Sequence, residues 1–450
     1  MLLILSLVLY MALAVSAEAI PAFAKKYSSP CSLCHSSWPK LNKVGWQFKF
    51  NGYQLPDSRD GSKAGKLSPT IDLNLDIGNA NPPLSFRFGG GIDIYSPKTT
   101  PDGSSRAESF ACCSQANSLK LYTAGTVASD IGYFVSFPLG SQEVEQAYIR
   151  FTNVFGQGTM GADIGAFRTA DFDVVAAGRE WFGEPDLALY GNGSQTAGDQ
   201  GMSAGHVDTG IRLFGNPGYG PFSYDIVYVT GARASGSPGR SKGRAVSVMG
   251  RVDSNNFSGS LRYWDSESGE ITFKKDSSSG FFSHTLQDGL TGTGIFPADP
   301  TDVDENSQDL VLSLKYEKVK WQVEAVYDMN IFKVDDRTDA VGNTYSQESV
   351  ARNGFSVGGI LRASSKLAFG ARYGISTTAG YNYKDNGSLM KAESAKASMV
   401  ELKIEFTPVQ NAKISFQYTL DESDIVARKD ETGNVYDLQN KFVLLWDWAI

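Results

Sequence analysis

The C-terminal stretch Phe442-Val443-Leu444-Leu445-Trp446-Asp447-Trp448-Ala449-Ile450 decides the fold. In an extended strand successive side chains point to opposite faces, so Phe442, Leu444, Trp446, Trp448 and Ile450 share one side. That apolar, aromatic face running to the last residue suits a strand whose outer side meets lipid. The same alternation recurs upstream. Val319, Trp321, Val323, Ala325 and Tyr327 share a face, and Leu84-Ser85-Phe86-Arg87-Phe88 through Ile94 alternates as well.

The rest of the composition agrees with strands of this kind. Glycine makes up 47 of 450 residues and aromatics 12%, while mean hydropathy is only −0.23. Short alternating segments without long apolar runs are the weak signature of a transmembrane barrel. The terminal strand itself resembles the C-terminal assembly signal of outer-membrane barrels, with Ile450 where a Phe is usual. Counting from 84–95 to 438–450 gives sixteen candidate strands, an even number as bacterial barrels prefer. The connections between them alternate in length. Outer loops fall at 96–117, 140–142, 169–206, 232–241, 266–306, 330–353, 377–394 and 421–437, whereas every inner turn is short. Thr70 to Ile77 also alternates and is left over as linker or lumen packing, with eighteen strands as the other count. The expected fold is thus an all-β, porin-like barrel over 67–450, with both ends of the barrel on the periplasmic side.

Ahead of the barrel lie two further segments. Leu2 to Val15 is apolar, and Val15-Ser16-Ala17 or Ala17-Glu18-Ala19 supplies small residues for cleavage, which reads as a signal peptide over 1–19. No later run is long and apolar enough for a transmembrane helix. Cys31-Ser32-Leu33-Cys34-His35 then forms a C-x-x-C-H motif, the attachment pattern for one covalent haem c. Cys31 and Cys34 supply thioethers, and His35 is the axial iron ligand. A structural zinc site needs four ligands. Beyond this motif the chain offers the adjacent pair Cys112 and Cys113 and the two histidines His206 and His284. A helix is expected from about Pro39 to Phe50, stopped by Gly52. The haem segment and linker, 20–66, form a piece too small to enclose a haem, since chains below roughly 40 residues rarely build a core alone. It is expected to plug or line the periplasmic mouth, with the lumen wall completing the pocket.

Charge divides along the same boundary. Residues 20–66 carry eight basic and two acidic side chains, whereas 67–450 carry 33 and 46. An acidic lumen would hold the basic segment and concentrate cations. The isoelectric point near 5.1 suits a neutral environment. Nucleic acid is not expected as a partner; outer-membrane lipid is.

Ala19-Ile20-Pro21-Ala22-Phe23-Ala24-Lys25-Lys26-Tyr27, the C-x-x-C-H motif, Pro39-Lys40-Leu41-Asn42, Gly45, Phe48 and Asn51-Gly52-Tyr53-Gln54-Leu55 together resemble the N-terminal module of the fused outer-membrane monohaem cytochrome–porins of Fe(II)-oxidising bacteria. The match covers about residues 19–56. The resemblance implies an iron oxidase, in which extracellular Fe(II) gives one electron to the haem and a periplasmic c-type cytochrome accepts it. A redox-gated porin and an outward electron conduit are the other readings. Met202 and His206 are candidate sixth iron ligands at the end of loop 169–206, and His284 is a further one. Asp171, Asp173, Glu180, Glu184 and Asp186 form an acidic cluster in that loop that could relay Fe(II) or simply be solvated. Cys112 and Cys113 could form a vicinal disulfide and receive no catalytic role.

Overall fold

The computed structural model describes residues 23, 29–37, 40–53, 84–95, 110–112, 119–128, 130–139, 144–156, 158–175, 207–230, 244–268, 284–285, 291–292, 305–338, 344–378, 381–385, 388–392, 395–409, 412–421, 428–429, 435–436 and 441–449. The expected signal peptide, the Thr70–Ile77 segment and most of the outer loops lie outside them.

Sixteen long strands close into one antiparallel barrel: β1 (Leu84–Tyr95), β2 (Lys120–Ala128), β3 (Ile131–Pro138), β4 (Gln146–Phe151), β5 (Gly161–Arg168), β6 (Val207–Gly215), β7 (Phe222–Val229), β8 (Arg244–Asp253), β9 (Phe257–Ser268), β10 (Glu305–Glu317), β11 (Trp321–Thr338), β12 (Thr344–Arg362), β13 (Leu367–Thr378), β14 (Ala395–Val409), β15 (Ala412–Asp421) and β16 (Lys441–Ala449). Closure is made by β16 on β1, in a register running from Lys441↔Tyr95 to Ala449↔Arg87. A closed sheet leaves no unpaired edge, and in hydrocarbon each unpaired backbone group costs several kcal/mol.

The side chains are arranged inside out. Ile149, Ile164, Ile211, Leu261, Leu402, Phe416, Phe442 and Trp448 are exposed on the outside. Their neighbours one residue away, such as Arg150, Asp163, Arg212, Arg262, Glu401, Gln417 and Asp447, are buried within. A water-soluble sandwich would show the reverse, so this is a membrane-spanning barrel of the outer-membrane type. No helix among the described residues is long and apolar enough to cross a membrane.

All sixteen expected strands are present, and the departures are at their ends. The expected outer loop 330–353 is largely strand, because β11 and β12 stay paired out to Thr338↔Thr344. The expected loop 377–394 contains a hairpin, Tyr381–Asp385 with Ser388–Ala392. Cys112 belongs to a short strand, Phe110–Cys112, opposite Ile92 on β1; its side chain and Cys113 lie outside the described residues. One inner turn, 152–160, is longer than expected.

Candidate functional site

The C-x-x-C-H motif opens with a 3-10 turn, Cys31–Leu33, closed by Leu33 N donating to Pro30 O at 3.0 Å and Cys34 N to Cys31 O at 3.2 Å. His35–Ser37 then pairs back on Lys40–Leu41, with His35 opposite Leu41. The helix α1 runs from Lys43 to Phe50, four residues later than the sequence reading placed its start. The reason is local. Lys40 and Leu41 are held in the bridge, and Asn42 is the N-cap, its side-chain oxygen accepting from Gly45 N at 3.0 Å. A capping amide satisfies one of the helix's otherwise unpaired N–H groups.

Asn42 also ties the helix to the motif. Its Nδ2 donates to Leu33 O at 3.0 Å and Ser32 O at 3.2 Å, and its backbone N donates to Cys34 O at 2.9 Å. Gly45 faces the same carbonyl. A Cβ there would collide with Cys34 O and reach 2.9 Å from the Leu41 side chain. After the helix, Gly52 and Tyr53 both take positive φ, 68° and 66°, which turns the Tyr53 ring towards the barrel wall.

This segment lies inside the lumen at the end bearing the short turns, the periplasmic end of such barrels. Tyr53 stacks on Phe134 of β3 at 5.8 Å, and its hydroxyl meets that of Tyr148 on β4 at 2.5 Å. Burial pushes the Tyr53 pKa up to about 12, so the phenol stays protonated. Phe50 stacks on Phe172 at 4.4 Å, and Trp46 lies under the Arg251 guanidinium at 4.5 Å. Arg150 donates to Lys49 O at 2.7 Å. Lys49 pairs with Asp171, and across the lumen Lys40 pairs with Glu324 on β11. The segment is thereby clamped between opposite walls.

Residues 169–175 fold inward and are buried throughout. Val174 N donates to Ser260 Oγ, and the Arg251 and Arg212 side chains donate to the carbonyls of Phe172 and Thr169. Asp171 and Asp173 are therefore not a solvated acidic cluster. Asp173 is engaged by Arg262 at 2.9 Å, at the end of a continuous chain of ion pairs, Arg150–Asp163–Arg212–Asp225–Arg262–Asp173. Glu180, Glu184 and Asp186 lie outside the described residues. Among the described buried side chains of 67–450, seven cations stand against eleven carboxylates, and Lys40 and Lys49 of the segment add two more cations. The acidic excess of 67–450 thus sits mainly elsewhere.

Cys31, Cys34 and His35 are all half-buried, and neither thiol is in a disulfide. Burial raises both thiol pKa values, and the neighbouring Cys31 raises Cys34 further. His35 lines a cavity of about 680 Å³ that lies between the segment, the β8–β9, β10–β11 and β12–β13 turns, and the ends of their strands. Its described lining contains no methionine and no second histidine. Met202 and His206 lie outside the described residues. His284 is described only as backbone, paired with Gly292.

No family model and no curated protein matches this sequence. Among solved structures the chain is similar to in-vitro folded OmpT, an outer membrane protein of Vibrio cholerae in its trimer form. Identity is 11%, 82% of this chain and 98% of that chain are covered, and the TM-score is 0.53. It is similar also to an anion-selective porin from Comamonas acidovorans, at 12% identity, 82% and 98% coverage and a TM-score of 0.51. The fold is that of a porin. At such identities the likeness is one of architecture alone. A porin-like barrel accounts for residues 84–449 but gives no reason for a C-x-x-C-H turn clamped inside it.

Proposed function

We propose that the protein is an outer-membrane electron-transfer protein that holds one covalent haem c at Cys31, Cys34 and His35. It accepts one electron from Fe(II) outside the cell and passes it to a periplasmic c-type cytochrome. The observation that carries this reading is the C-x-x-C-H turn held inside the barrel, with Cys31, Cys34 and His35 half-buried and His35, though neither thiol, on the lining of a cavity. Its volume of about 680 Å³ lies within the roughly 300–1,000 Å³ typical of cofactor sites, and barrel residues form most of its lining. The donor set also fits, with two accessible, protonated thiols flanking one imidazole in the order that haem attachment requires.

When bound, the haem supplies a one-electron store, matched to a one-electron donor and acceptor. The chain does the rest. Asn42 and Gly45 fix the motif against α1, and His35 would hold the iron from one side. The cavity opens towards the short-turn end, which suits transfer to a periplasmic partner. The direction of flow and the identity of the donor rest on the resemblance of residues 19–56 to cytochrome–porins.

The test is rapid-mixing reduction of the purified, haem-stained protein by Fe(II), followed by reoxidation with a periplasmic c-type cytochrome. Fast reduction of the haem by Fe(II) is expected. Haem that Fe(II) fails to reduce at a pH where it is a competent donor would remove the oxidase reading and favour a redox-gated porin or an outward conduit.

A further inference from the structure

The short turns around the mouth that holds the segment are unevenly charged. Turns 152–160, 216–221, 254–256 and 410–411 carry no charged side chain, and the β2–β3 turn carries one acid, Asp130. Eight strands away, on the opposite side of the barrel, the β10–β11 and β12–β13 turns carry Lys318, Lys320 and Lys366, all exposed. Among the described residues no carboxylate pairs with any of the three. The Lys318 ammonium lies near the rings of Tyr316 and Trp321, at 5.9 and 6.0 Å, and Val319 between two of the lysines is 90% exposed. The two turns form one surface. Arg362 N donates to Lys320 O at 2.7 Å, and Arg362 Nη1 donates to Lys318 O and Val319 O, each at 3.2 Å.

A chain of contacts joins this surface to the C-x-x-C-H segment. Arg362 Nη2 donates to Gln322 Oε1 at 3.4 Å, Gln322 Nε2 donates to Glu324 Oε2 at 3.0 Å, and Glu324 pairs with Lys40. Lys40 and Leu41 are in turn bridged to Ser37 and His35. Ser32, exposed between the two cysteines, and His35 line the same cavity as Lys318, Lys320 and Arg362. On the segment's own side Lys43 is exposed at the start of α1, next to Asn42, whose backbone N donates to Cys34 O at 2.9 Å. We propose that Lys43, Lys318, Lys320 and Lys366 form the docking surface for a periplasmic electron carrier with an acidic face. This names the partner chemistry of the electron-transfer reading above and rests on it. Complementary charge steers encounter and fixes the partner's orientation. Docking requires no contact between the lysines and the haem; the carrier has only to settle on the half of the rim to which the motif is tied. One electron then passes from ferrous haem to the ferric carrier, leaving ferric haem and a reduced carrier, and no bond or proton changes place.

In the test, the full-length holoprotein is reduced with dithionite, freed of excess reductant and mixed rapidly with one of two ferric c-type cytochromes of matched, higher potential, one acidic and one basic. Because dithionite is the reductant, the result does not depend on Fe(II) being the donor. At about 10 mM ionic strength the screening length is about 30 Å, and the acidic cytochrome should reoxidise the haem about tenfold faster. The two rates should converge as salt approaches about 1 M. Lys318→Gln/Lys320→Gln/Lys366→Gln should abolish the preference and Lys318→Glu/Lys320→Glu/Lys366→Glu should reverse it. All three lysines are exposed turn residues, so heat-modifiable migration and covalent haem per chain should match the parent. No preference in the parent, or variants that keep the parent's preference, overturns the docking surface while leaving haem attachment intact. A preference seen in detergent but lost in nanodiscs of zwitterionic phospholipid overturns it too, because the lysines then serve headgroup phosphates. A parent protein without covalent haem is a different result and removes the underlying reading as well.

Discussion

Asn42, the N-cap of α1, and Gly45 in its first turn bring the helix directly against the motif. Asn42 caps the helix with its oxygen and grips the 3-10 turn with its nitrogen. Gly45 lets the helix backbone reach the Cys34 carbonyl. The consequence of Gly45→Ala is a contest between two effects. Alanine favours helix over glycine by about 1 kcal/mol, whereas overpacking a filled site costs about 1–3 kcal/mol. The obstructing atoms are a backbone carbonyl and a buried leucine, which cannot swing aside. Net loosening of the segment is expected, read as faster limited proteolysis within residues 30–53 of a barrel that still migrates as folded. Protection equal to the parent would show that the turn can shift to admit a methyl group.

At the level of elements, the inward fold of 169–175 and α1 hold each other. Lys49 and Asp171 are both about 3% exposed in their side chains, and each sits where water cannot replace its partner. Removing one member of a buried pair costs about 3–5 kcal/mol, whereas replacing both by apolar groups is often neutral. Asp171→Asn should therefore free the segment markedly, and Lys49→Met/Asp171→Leu should recover most of the loss in the same proteolysis assay. The double variant also distinguishes a clamp from an iron relay. A clamp predicts that it reacts with Fe(II) as the parent does; a relay predicts slow reduction in a stable protein.

For the whole molecule, a segment clamped from Lys40–Glu324 on one wall to Lys49–Asp171 and Tyr53–Tyr148 on the other occupies the lumen of a barrel otherwise built like a porin. Deleting residues 30–53 should raise single-channel conductance in planar bilayers several-fold, since it removes this obstruction from the periplasmic half. Equal conductance with and without the segment would mean that other parts of the chain close the pore.

The alternation of apolar residues in segments such as 319–327 and 442–450 was enough to place sixteen strands. In a barrel the two faces of each strand meet different solvents, and the period of two is written directly into side-chain type. The C-x-x-C-H motif was equally legible, because its spacing is local. The ends of β11 and β12 were not, since polar residues beyond the membrane remain in strand only by pairing with each other. Nor could composition show that Asp171 and Asp173 are buried opposite Lys49 and Arg262. Those pairs join residues far apart in the chain, and whether an acid is solvated or neutralised depends on which wall a loop folds against. The cation-rich cavity at His35 is of the same kind: Lys43, Arg251, Lys318 and Arg362 are scattered over more than 300 positions, and only closure of the barrel around α1 brings them to one place.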